Sequence, residues 1–294
     1  MFKRLLIANR GEIAVRILKA AQKLGIETVA VYSEADKDCP YLKSVNKAVC
    51  IGPSQSVNSY LNIETILQTA LQYDCQAIHP GFGFLAENSV FAALCEQYKI
   101  TFIGPNPSAI KMMGDKALAR KTMKQAGLPV IPGSEKTITE LSEAQKLARK
   151  IKFPILLKAT AGGGGKGMRI CIHEEELKQN FEQAKQEAQK AFGNPELYIE
   201  KYIKEGRHIE FQILSDNFGN VIHLGERECS VQRNHQKLIE EAPSAIISPE
   251  FRKKMGELVT KAVAKVGYQN AGTIEFLMDQ DQLYFMEMNT RLQV

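Results

Sequence analysis

Two glutamates near the end of the 294-residue chain, Glu275 and Glu287, lie in β-rich segments that a short polar turn joins. A hairpin with Asp281 at its tip would place them opposite each other, where like charges are unfavourable without a cation between them. Strand alternation puts three more polar side chains on the same face if the chain stays extended: Asn289, Arg291 and Gln293. Carboxylate and amide oxygens suit Mg²⁺, and a guanidinium suits an oxyanion beside it. The pattern predicts a metal–oxyanion site, although two solvated glutamates on an edge strand would also fit it.

A glycine-rich stretch at residues 158–167 provides a second chemical signal, because Lys158 and Lys166 flank backbone amides that no side chain covers. Such a stretch favours an anionic ligand, most simply a phosphate. It is not a P-loop, since Thr160 stands where the first glycine would be and Gly167 follows the lysine. Apolar β-like runs on both sides predict a flap that closes over a nucleotide, and a flexible hairpin tip is the alternative.

The segment 226–237 contains four basic side chains without helical or strand alternation: Arg227, Arg233, His235 and Lys237. We therefore expect a loop. Alone it would be a solvated basic loop, whereas beside a metal–phosphate site it would bind an anion.

The elements that must position these residues alternate as in an α/β protein. A strand at residues 5–8, a helix at 12–24 and a strand at 26–31 predict a parallel sheet with Rossmann-like order. No G-x-G-x-x-G motif follows the first strand, so a dinucleotide site is not expected. We predict an N-terminal domain at residues 1–113 and a second domain at 114–294, with a mobile lid at about 131–203.

Composition limits the class of protein. The chain is 44% hydrophobic and 24% charged, and its net charge of +5 is too weak to predict a nucleic-acid partner. No apolar run is long enough for a membrane span. Six cysteines without a C-x-x-C pair indicate neither a disulfide framework nor a zinc site, and they fit a reducing compartment.

Together the motifs resemble the biotin carboxylase branch of the ATP-grasp family, most closely the component found in acetyl-CoA carboxylase. The matches follow the family's order along the whole chain: 8–13 (A-N-R-G-E-I), 59–62 (S-Y-L-N), 79–88 (H-P-G-F-G-F-L-A-E-N), 113–116 (M-G-D-K), the glycine flap, 200–203 (E-K-Y-I), the basic segment and 287–294 (E-M-N-T-R-L-Q-V). The resemblance implies a pre-ATP-grasp domain followed by an ATP-grasp domain with a glycine-rich lid.

The resemblance also implies a reaction. ATP phosphorylates bicarbonate to carboxyphosphate, and the carboxyl group passes to biotin on a carrier protein. The family's phosphate and nucleotide contacts match Lys116, Lys158, Gly164, Gly165, Glu200, Lys201, Ile203, His208 and His235. Its Mg²⁺ or Mn²⁺ ligands match Glu275, Glu287 and Asn289, and its bicarbonate pocket matches Lys237, Arg291, Gln293 and Val294. Arg291 and Lys237 are the expected catalytic residues.

The family further implies a biotin carboxyl carrier protein and a carboxyltransferase as partners, a homodimer at full length, and a location in the cytoplasm, or in plastids or mitochondria after removal of a transit peptide. Phe82 and Ala86 depart from the family's Tyr and Ser in a stretch expected to lie away from the chemistry. The family's run continues past Val294 with Glu-His-Pro, whose glutamate is the base for bicarbonate. The 294 residues are therefore expected to be a fragment that binds ATP and metal but does not complete carboxylation.

Three alternatives remain open. The chain could begin a pyruvate or propionyl-CoA carboxylase, or belong to another ATP-grasp ligase such as one like carbamoyl-phosphate synthase, in which an amine takes the carboxyphosphate. The third is a nucleotide-binding module without turnover, whose ATP binding would survive loss of Glu275 and Glu287.

Overall fold

The computed structural model describes residues 2–159, 168–233 and 236–293. The chain divides into two compact units. The first comprises Met1–Leu128, Ile209–Glu275 and Glu287–Val294, and the second comprises Pro129–His208 and Phe276–Met286. Within the described residues, no helix is both long enough and apolar enough to cross a membrane.

The first unit begins with a sheet in which every neighbouring pair of strands is parallel. Its strands are β1 Arg4–Ile7, β2 Glu27–Tyr32, β3 Lys47–Cys50, β4 Ala77–His79 and β5 Thr101–Phe102, in the order β3-β2-β1-β4-β5. The connecting helices are α1 Gly11–Lys23, α2 Ile63–Gln72 and α3 Ser89–Gln97. This architecture confirms the predicted α/β fold with a parallel sheet.

Both faces of this sheet are covered because its strands are apolar at successive positions. Leu6 of β1 packs into one core cluster with Val29 and Ile78. Its neighbours Leu5 and Ile7 pack into a second cluster with the apolar stripe of α1. Successive strand residues point to opposite faces, so a continuous apolar strand must be buried on both sides.

Two consecutive helices follow β5 in the first unit. Helix α4 spans Pro107–Gly114 and helix α5 spans Lys116–Ala126. Asp115 separates them, and its side chain accepts hydrogen bonds from the amides of Ala117 and Leu118. An N-cap in extended conformation ends one helix and starts the next.

The second unit contains helix α6 Leu141–Ile151, strands β6 Ile155–Ala159 and β7 Met168–Cys171, helix α7 Glu175–Phe192 and strand β8 Leu197–Lys201. The strands form an antiparallel sheet of order β7-β6-β8. Four side chains at helical spacing on α7 are fully buried against it, as the apolar stripe predicts: Leu177, Phe181, Ala184 and Ala188. The predicted flap between β6 and β7, with Gly164 and Gly165, lies outside the described residues.

A second five-stranded sheet follows in the sequence. It consists of β9 Arg207–Ser215, β10 Val221–Arg233, β11 Gln236–Glu241, β12 Asn270–Asp279 and β13 Gln282–Asn289, in the order β11-β10-β9-β12-β13. The loop predicted over 226–237 is wrong, because β10 and β11 occupy most of it. Register shifts between Glu228 and Val231 and between Val231 and Gln232 interrupt the ladder. Such bulges remove the alternation by which a strand is recognised.

Helix α8, Pro249–Val266, packs on β10 through a glycine. A Cβ atom at Gly256 would lie 2.2 Å from Nε2 of His223. The His223 ring is held in place, since its Nδ1 accepts from the Gly225 amide and its edge meets the Phe211 ring. The close approach of helix and strand therefore requires glycine at position 256.

We expect Gly256→Ala to destabilise the protein by about 1–3 kcal/mol, because an inserted methyl group must displace the ring or the helix. Chemical denaturation measures this change. Gly114→Ala is the matched control, since nothing lies within 4 Å of its added Cβ. It should be neutral or slightly stabilising, and equal effects of the two variants would contradict the packing account.

An ion pair also ties α8 to β10. Glu226 is 2% exposed and accepts from Arg252 Nε at 2.7 Å, from Arg252 Nη2 at 2.7 Å and from the Ser244 amide at 3.1 Å. Burial by itself would raise the pKa of Glu226, but these hydrogen bonds outweigh it and leave the pKa below its ordinary value of 4.5. The folded protein therefore favours the charged carboxylate.

A carboxyl group whose pKa is lowered on folding stabilises the protein above its unfolded pKa, and this stability is lost as the pH falls through the folded pKa. Glu226→Gln should cost about 2 kcal/mol at pH 7. The difference between the two proteins should shrink below pH 4.5. Urea denaturation of both proteins from pH 7 to pH 4 measures it, and a pH-independent difference would contradict the linkage.

Candidate active site

Lys237 on β11 lies between two buried carboxylates. Its Nζ donates to Glu275 Oε1 of β12 at 2.7 Å and to Glu210 Oε2 of β9. Burial lowers the pKa of Lys237, but the hydrogen bonds to the two carboxylates raise it more, so the pKa lies above its ordinary value. Lys237 is therefore a cation at neutral pH, and it offsets carboxylates that would otherwise repel each other.

Arg227 on β10 supplies a second cation to the same cluster. Its Nε and Nη2 contact Glu210 Oε1, and its Nη1 donates to Gln212 Oε1 at 3.1 Å. The Glu210 side chain is 1% exposed, so both its oxygens are held in a largely buried environment. Two carboxylates and two cations thus form one compensated group.

The cluster continues from Glu275 to the end of β13. Asn289 Nδ2 donates to Glu275 Oε1 at 2.5 Å, and Arg291 Nη2 donates to Asn289 Oδ1 at 3.2 Å. Arg291 Nη1 donates to Gln293 Oε1 at 3.2 Å. The strand ends at Asn289, so the predicted extension through Gln293 is not a strand, yet these side chains still meet.

The side-chain amide of Gln293 has a hydrogen-bond donor that is not used within the described residues. Its Oε1 is used by Arg291, and its Nε2 is buried without a hydrogen-bond partner among the described residues. A buried donor without a partner is costly, so such an atom is expected to meet an acceptor from a ligand or from water. Gln293 Nε2 and the Arg291 guanidinium together suit a small oxyanion.

The predicted metal ligands provide a suitable set of oxygens. Glu275 and Asn289 are in contact, and Glu287 lies two residues before Asn289 on β13, so strand alternation puts both on one face. The turn between β12 and β13 consists of two residues, Gln280 and Asp281, whereas the sequence predicted a tip at Asp281. Two carboxylates and one amide oxygen fit Mg²⁺, which prefers hard oxygen ligands.

Glu87, which follows β4 in the first unit, joins this cluster although the sequence placed its segment away from the chemistry. The Thr290 amide donates to Glu87 Oε1 at 2.9 Å, and Arg291 Nε donates to Glu87 Oε2 at 3.0 Å. That expectation for the His-Pro-Gly segment is therefore wrong. Residues 79–88 matched the family's sequence. However, Glu87 contacts Thr290 and Arg291, which follow it by 203 and 204 positions, and no local pattern in the sequence predicts such a contact.

Glu210 is the other member of the cluster that sequence reasoning did not select for the site, whereas Arg227 was named as part of the basic segment. The available signal for Glu210 was an acidic residue within the apolar strand 209–213. A charged residue in an otherwise buried strand must find a partner of opposite charge.

The second unit holds a separate group of predicted nucleotide contacts. Lys158 Nζ of β6 donates to Glu200 Oε2 of β8 at 2.5 Å. Lys201 Nζ donates to the carbonyls of Lys152 and Phe153, and its amide donates to the Pro132 carbonyl. Ile203 and His208 are half-buried.

The remaining predicted residues lie apart from the cluster or outside the described chain. Lys116 is exposed at the first position of α5 and has no described contact with the Lys237 cluster. Gly164, Gly165, His235 and Val294 lie outside the described residues.

The fold and the cluster define a protein of the ATP-grasp class. A family model described as "Carbamoyl-phosphate synthase L chain, ATP binding domain" matches residues 115–294. A second, "Biotin carboxylase, N-terminal domain", matches residues 1–110.

Relatives and solved structures show which family within the ATP-grasp class the chain is similar to. The chain is 56% identical to Biotin carboxylase 1 of Bacillus subtilis, covering 100% of this chain and 66% of the relative. It is 53% identical to the 2-oxoglutarate carboxylase small subunit of Hydrogenobacter thermophilus, covering 100% of this chain and 62% of the relative. A similar solved structure is the biotin carboxylase domain dimer of the Hydrogenobacter thermophilus 2-oxoglutarate carboxylase, crystallised with MgADP, ADP and bicarbonate. The match has a TM-score of 0.88 at 53% identity and covers 100% of this chain and 65% of that one. The chain belongs to the biotin carboxylase family, and it spans less than two thirds of the length of these relatives.

We expect Glu210→Gln to lower the free energy of unfolding by about 3 kcal/mol, because Lys237 and Arg227, both largely buried, then lose the buried carboxylate that they share. Urea denaturation at pH 7 measures the loss. Glu241→Gln, which changes an exposed glutamate on β11, is the matched control and should stay within about 0.5 kcal/mol of the parent. A Glu210→Gln protein as stable as the control would contradict the compensated cluster.

Proposed function

We propose that the protein is an ATP-dependent ligase that carboxylates biotin on a carrier protein with bicarbonate. The observation that supports this most directly is the Arg291–Gln293 pair, with a buried Nε2 donor that lacks a partner among the described residues. A planar oxyanion of the size of bicarbonate fits a guanidinium and an amide donor. Membership of the biotin carboxylase family supports the same assignment.

In the proposed reaction a bicarbonate oxygen attacks the γ-phosphorus of ATP, giving carboxyphosphate and ADP. The carboxyl group then passes to a ureido nitrogen of biotin, and the phosphate that leaves takes up the proton of that nitrogen. Arg291 and Gln293 hold the bicarbonate, and Lys237 adds positive charge beside it. Phosphoryl transfer depends mainly on positioning and charge neutralisation, which this set can provide. Arg291 would then stabilise the negative charge that develops on the biotin ureido oxygen.

Glu275, Glu287 and Asn289 would hold Mg²⁺ or Mn²⁺. The metal, when bound, neutralises charge on the ATP phosphates. Glu275 is 5% exposed, so a cation beside it would be only weakly screened. Lys237 donates to the same carboxylate at 2.7 Å and adds positive charge to the site.

The nucleotide contacts are proposed from the family resemblance. Lys116, Lys158, His208 and His235 would contact phosphates or ribose, and Glu200, Lys201 and Ile203 would line the adenine site. Gly164 and Gly165 would close over the phosphates, as part of a lid at about 131–203 in an ATP-grasp domain at 114–294. Val294 would complete the bicarbonate pocket.

We further propose a biotin carboxyl carrier protein and a carboxyltransferase as partners, a homodimeric assembly, and a location in the cytoplasm. Acetyl-CoA is the proposed final acceptor, which would place the protein in fatty acid synthesis. The relative named as a 2-oxoglutarate carboxylase subunit, at 53% identity, supports a different acceptor equally directly. Reconstitution with purified carboxyltransferases and labelled bicarbonate would distinguish the acceptors.

We expect Glu275→Gln and Glu287→Gln each to reduce bicarbonate-dependent ATP hydrolysis by the full-length protein at least about a hundredfold, because each removes a carboxylate from the metal site. The assay measures ADP release with free biotin and Mg²⁺, and parallel reactions replace Mg²⁺ by Mn²⁺ or add a chelator. Glu241→Gln serves as the control that keeps full activity.

Three results would count against the proposed function. They are turnover that persists in chelator, ATP binding without any bicarbonate dependence, and replacement of biotin by ammonia as the better acceptor. The last result would favour a ligase similar to carbamoyl-phosphate synthase.

A further inference from the structure

The segment that carries Glu87 is held in place by contacts on the N-terminal sheet. Asn9, only 3% exposed, donates through Nδ2 to the carbonyls of Pro80 at 2.6 Å and Phe82 at 2.8 Å. Gly81 has a φ of +66°, and a Cβ there would lie 2.9 Å from Ile13 Cγ1. These contacts fix the backbone that leads to Glu87.

An aromatic stack fixes the same segment further along. The Phe84 ring stacks on the buried Tyr60 ring with centroids 4.8 Å apart, and the Arg10 guanidinium lies 5.8 Å from the Phe84 centroid. Tyr60 is itself anchored, because its hydroxyl donates to Asp36 at 2.7 Å. Glu87 therefore extends from a rigid support three residues after Phe84.

The Glu87 carboxylate holds both the backbone and the side chain of the segment after β13. Oε1 accepts from the Thr290 amide at 2.9 Å and from Thr290 Oγ1 at 3.1 Å, while Oε2 accepts from Arg291 Nε at 3.0 Å. With Nε bound to Glu87, the planar guanidinium presents its two terminal nitrogens to Asn289 and Gln293.

This ion pair is a weak source of stability. The Glu87 side chain is 42% exposed, and exposed ion pairs contribute little to folding. Its geometric effect is larger, because a guanidinium without a partner at Nε would rotate about its last torsion angles. Loss of Glu87 should therefore change the orientation of Arg291 more than the stability of the fold.

We propose that Glu87 is a positioning residue that orients Arg291 for bicarbonate. The inference rests on the proposed function, since it assigns Arg291 to the oxyanion site. Glu87 itself does not touch the substrate in this scheme. It acts through Arg291 Nε and through the Thr290 backbone.

The test uses the full-length protein and compares Glu87→Gln, Glu87→Asp and the matched control Glu27→Gln. Glu27 is also an exposed glutamate bound to an arginine, since it accepts from Arg4 Nε at 2.9 Å and Nη2 at 2.6 Å. In Glu87→Gln the amide oxygen can still accept from Thr290, but its NH₂ group faces Arg291 Nε–H. We expect the KM for bicarbonate to rise about tenfold, because Arg291 loses one charge-assisted hydrogen bond.

The other readouts should separate positioning from a structural role. The Kd for MgADP and the melting temperature should stay close to those of the parent protein in Glu87→Gln. Glu87→Asp, which restores the charge, should recover part of the bicarbonate KM, and Glu27→Gln should leave all three quantities unchanged.

A double-mutant cycle with Arg291→Ala decides whether Glu87 acts through Arg291. In the Arg291→Ala background, Glu87→Gln should change bicarbonate-dependent turnover less than twofold, because the group it orients is gone. Additive effects, an unchanged bicarbonate KM in Glu87→Gln, or a joint loss of melting temperature and MgADP binding would each overturn the inference. Absence of bicarbonate-dependent turnover in the parent protein would instead refute the proposed function, and the inference with it.

Discussion

The placement of the Lys237 ammonium between Glu210 and Glu275 is the interaction on which the candidate site depends. Two buried carboxylates on strands of one sheet would repel each other and would favour protonation over ionisation. A single cation bound to both offsets this repulsion. Arg227 adds a second positive charge on the far side of Glu210. Charge compensation thus allows a buried sheet to hold a group of ionised side chains.

The charged cluster extends through hydrogen bonds from Glu275 to the segment after β13. Asn289 is hydrogen-bonded to both Glu275 and Arg291. Arg291 is in turn hydrogen-bonded to Gln293 and Glu87. Carboxylates and cations therefore alternate along it, from Glu210 and Lys237 at one end to Arg291 and Glu87 at the other. Under the proposed function, Glu275 and Asn289 would hold a cation beside the oxyanion that Arg291 and Gln293 bind. The proposed position of the oxyanion is beside Gln293 Nε2, which is buried without a hydrogen-bond partner among the described residues.

The fold makes this arrangement possible by combining segments far apart in the sequence. The parallel sheet and its helices support the segment that ends in Glu87, and the second sheet carries the cations and carboxylates. The second unit carries Lys158 and Glu200 in a pair of its own. Family membership accounts for this combination, since the two matched family models together cover residues 1–110 and 115–294.

The sequence by itself determined the features that depend on local periodicity. The alternation of strands and helices predicted the parallel sheet, and a 3.6-residue stripe predicted the buried face of α7. Polar residues within β-rich segments drew attention to Glu275, Glu287 and Asn289. Period and composition are properties of neighbouring residues, so they can be read without coordinates. The same reasoning named Lys237, Arg291 and Gln293, and the resemblance assigned them to a bicarbonate pocket.

Only the tertiary structure decided the partners of these residues. Bulges in β10 removed the alternation, so the strands that carry Arg227 and Lys237 could not be recognised. The contact between Glu87 and Arg291 joins residues 204 positions apart, and no local pattern encodes it. Burial and pairing of charges depend on which strands become neighbours, and that is a property of the whole fold.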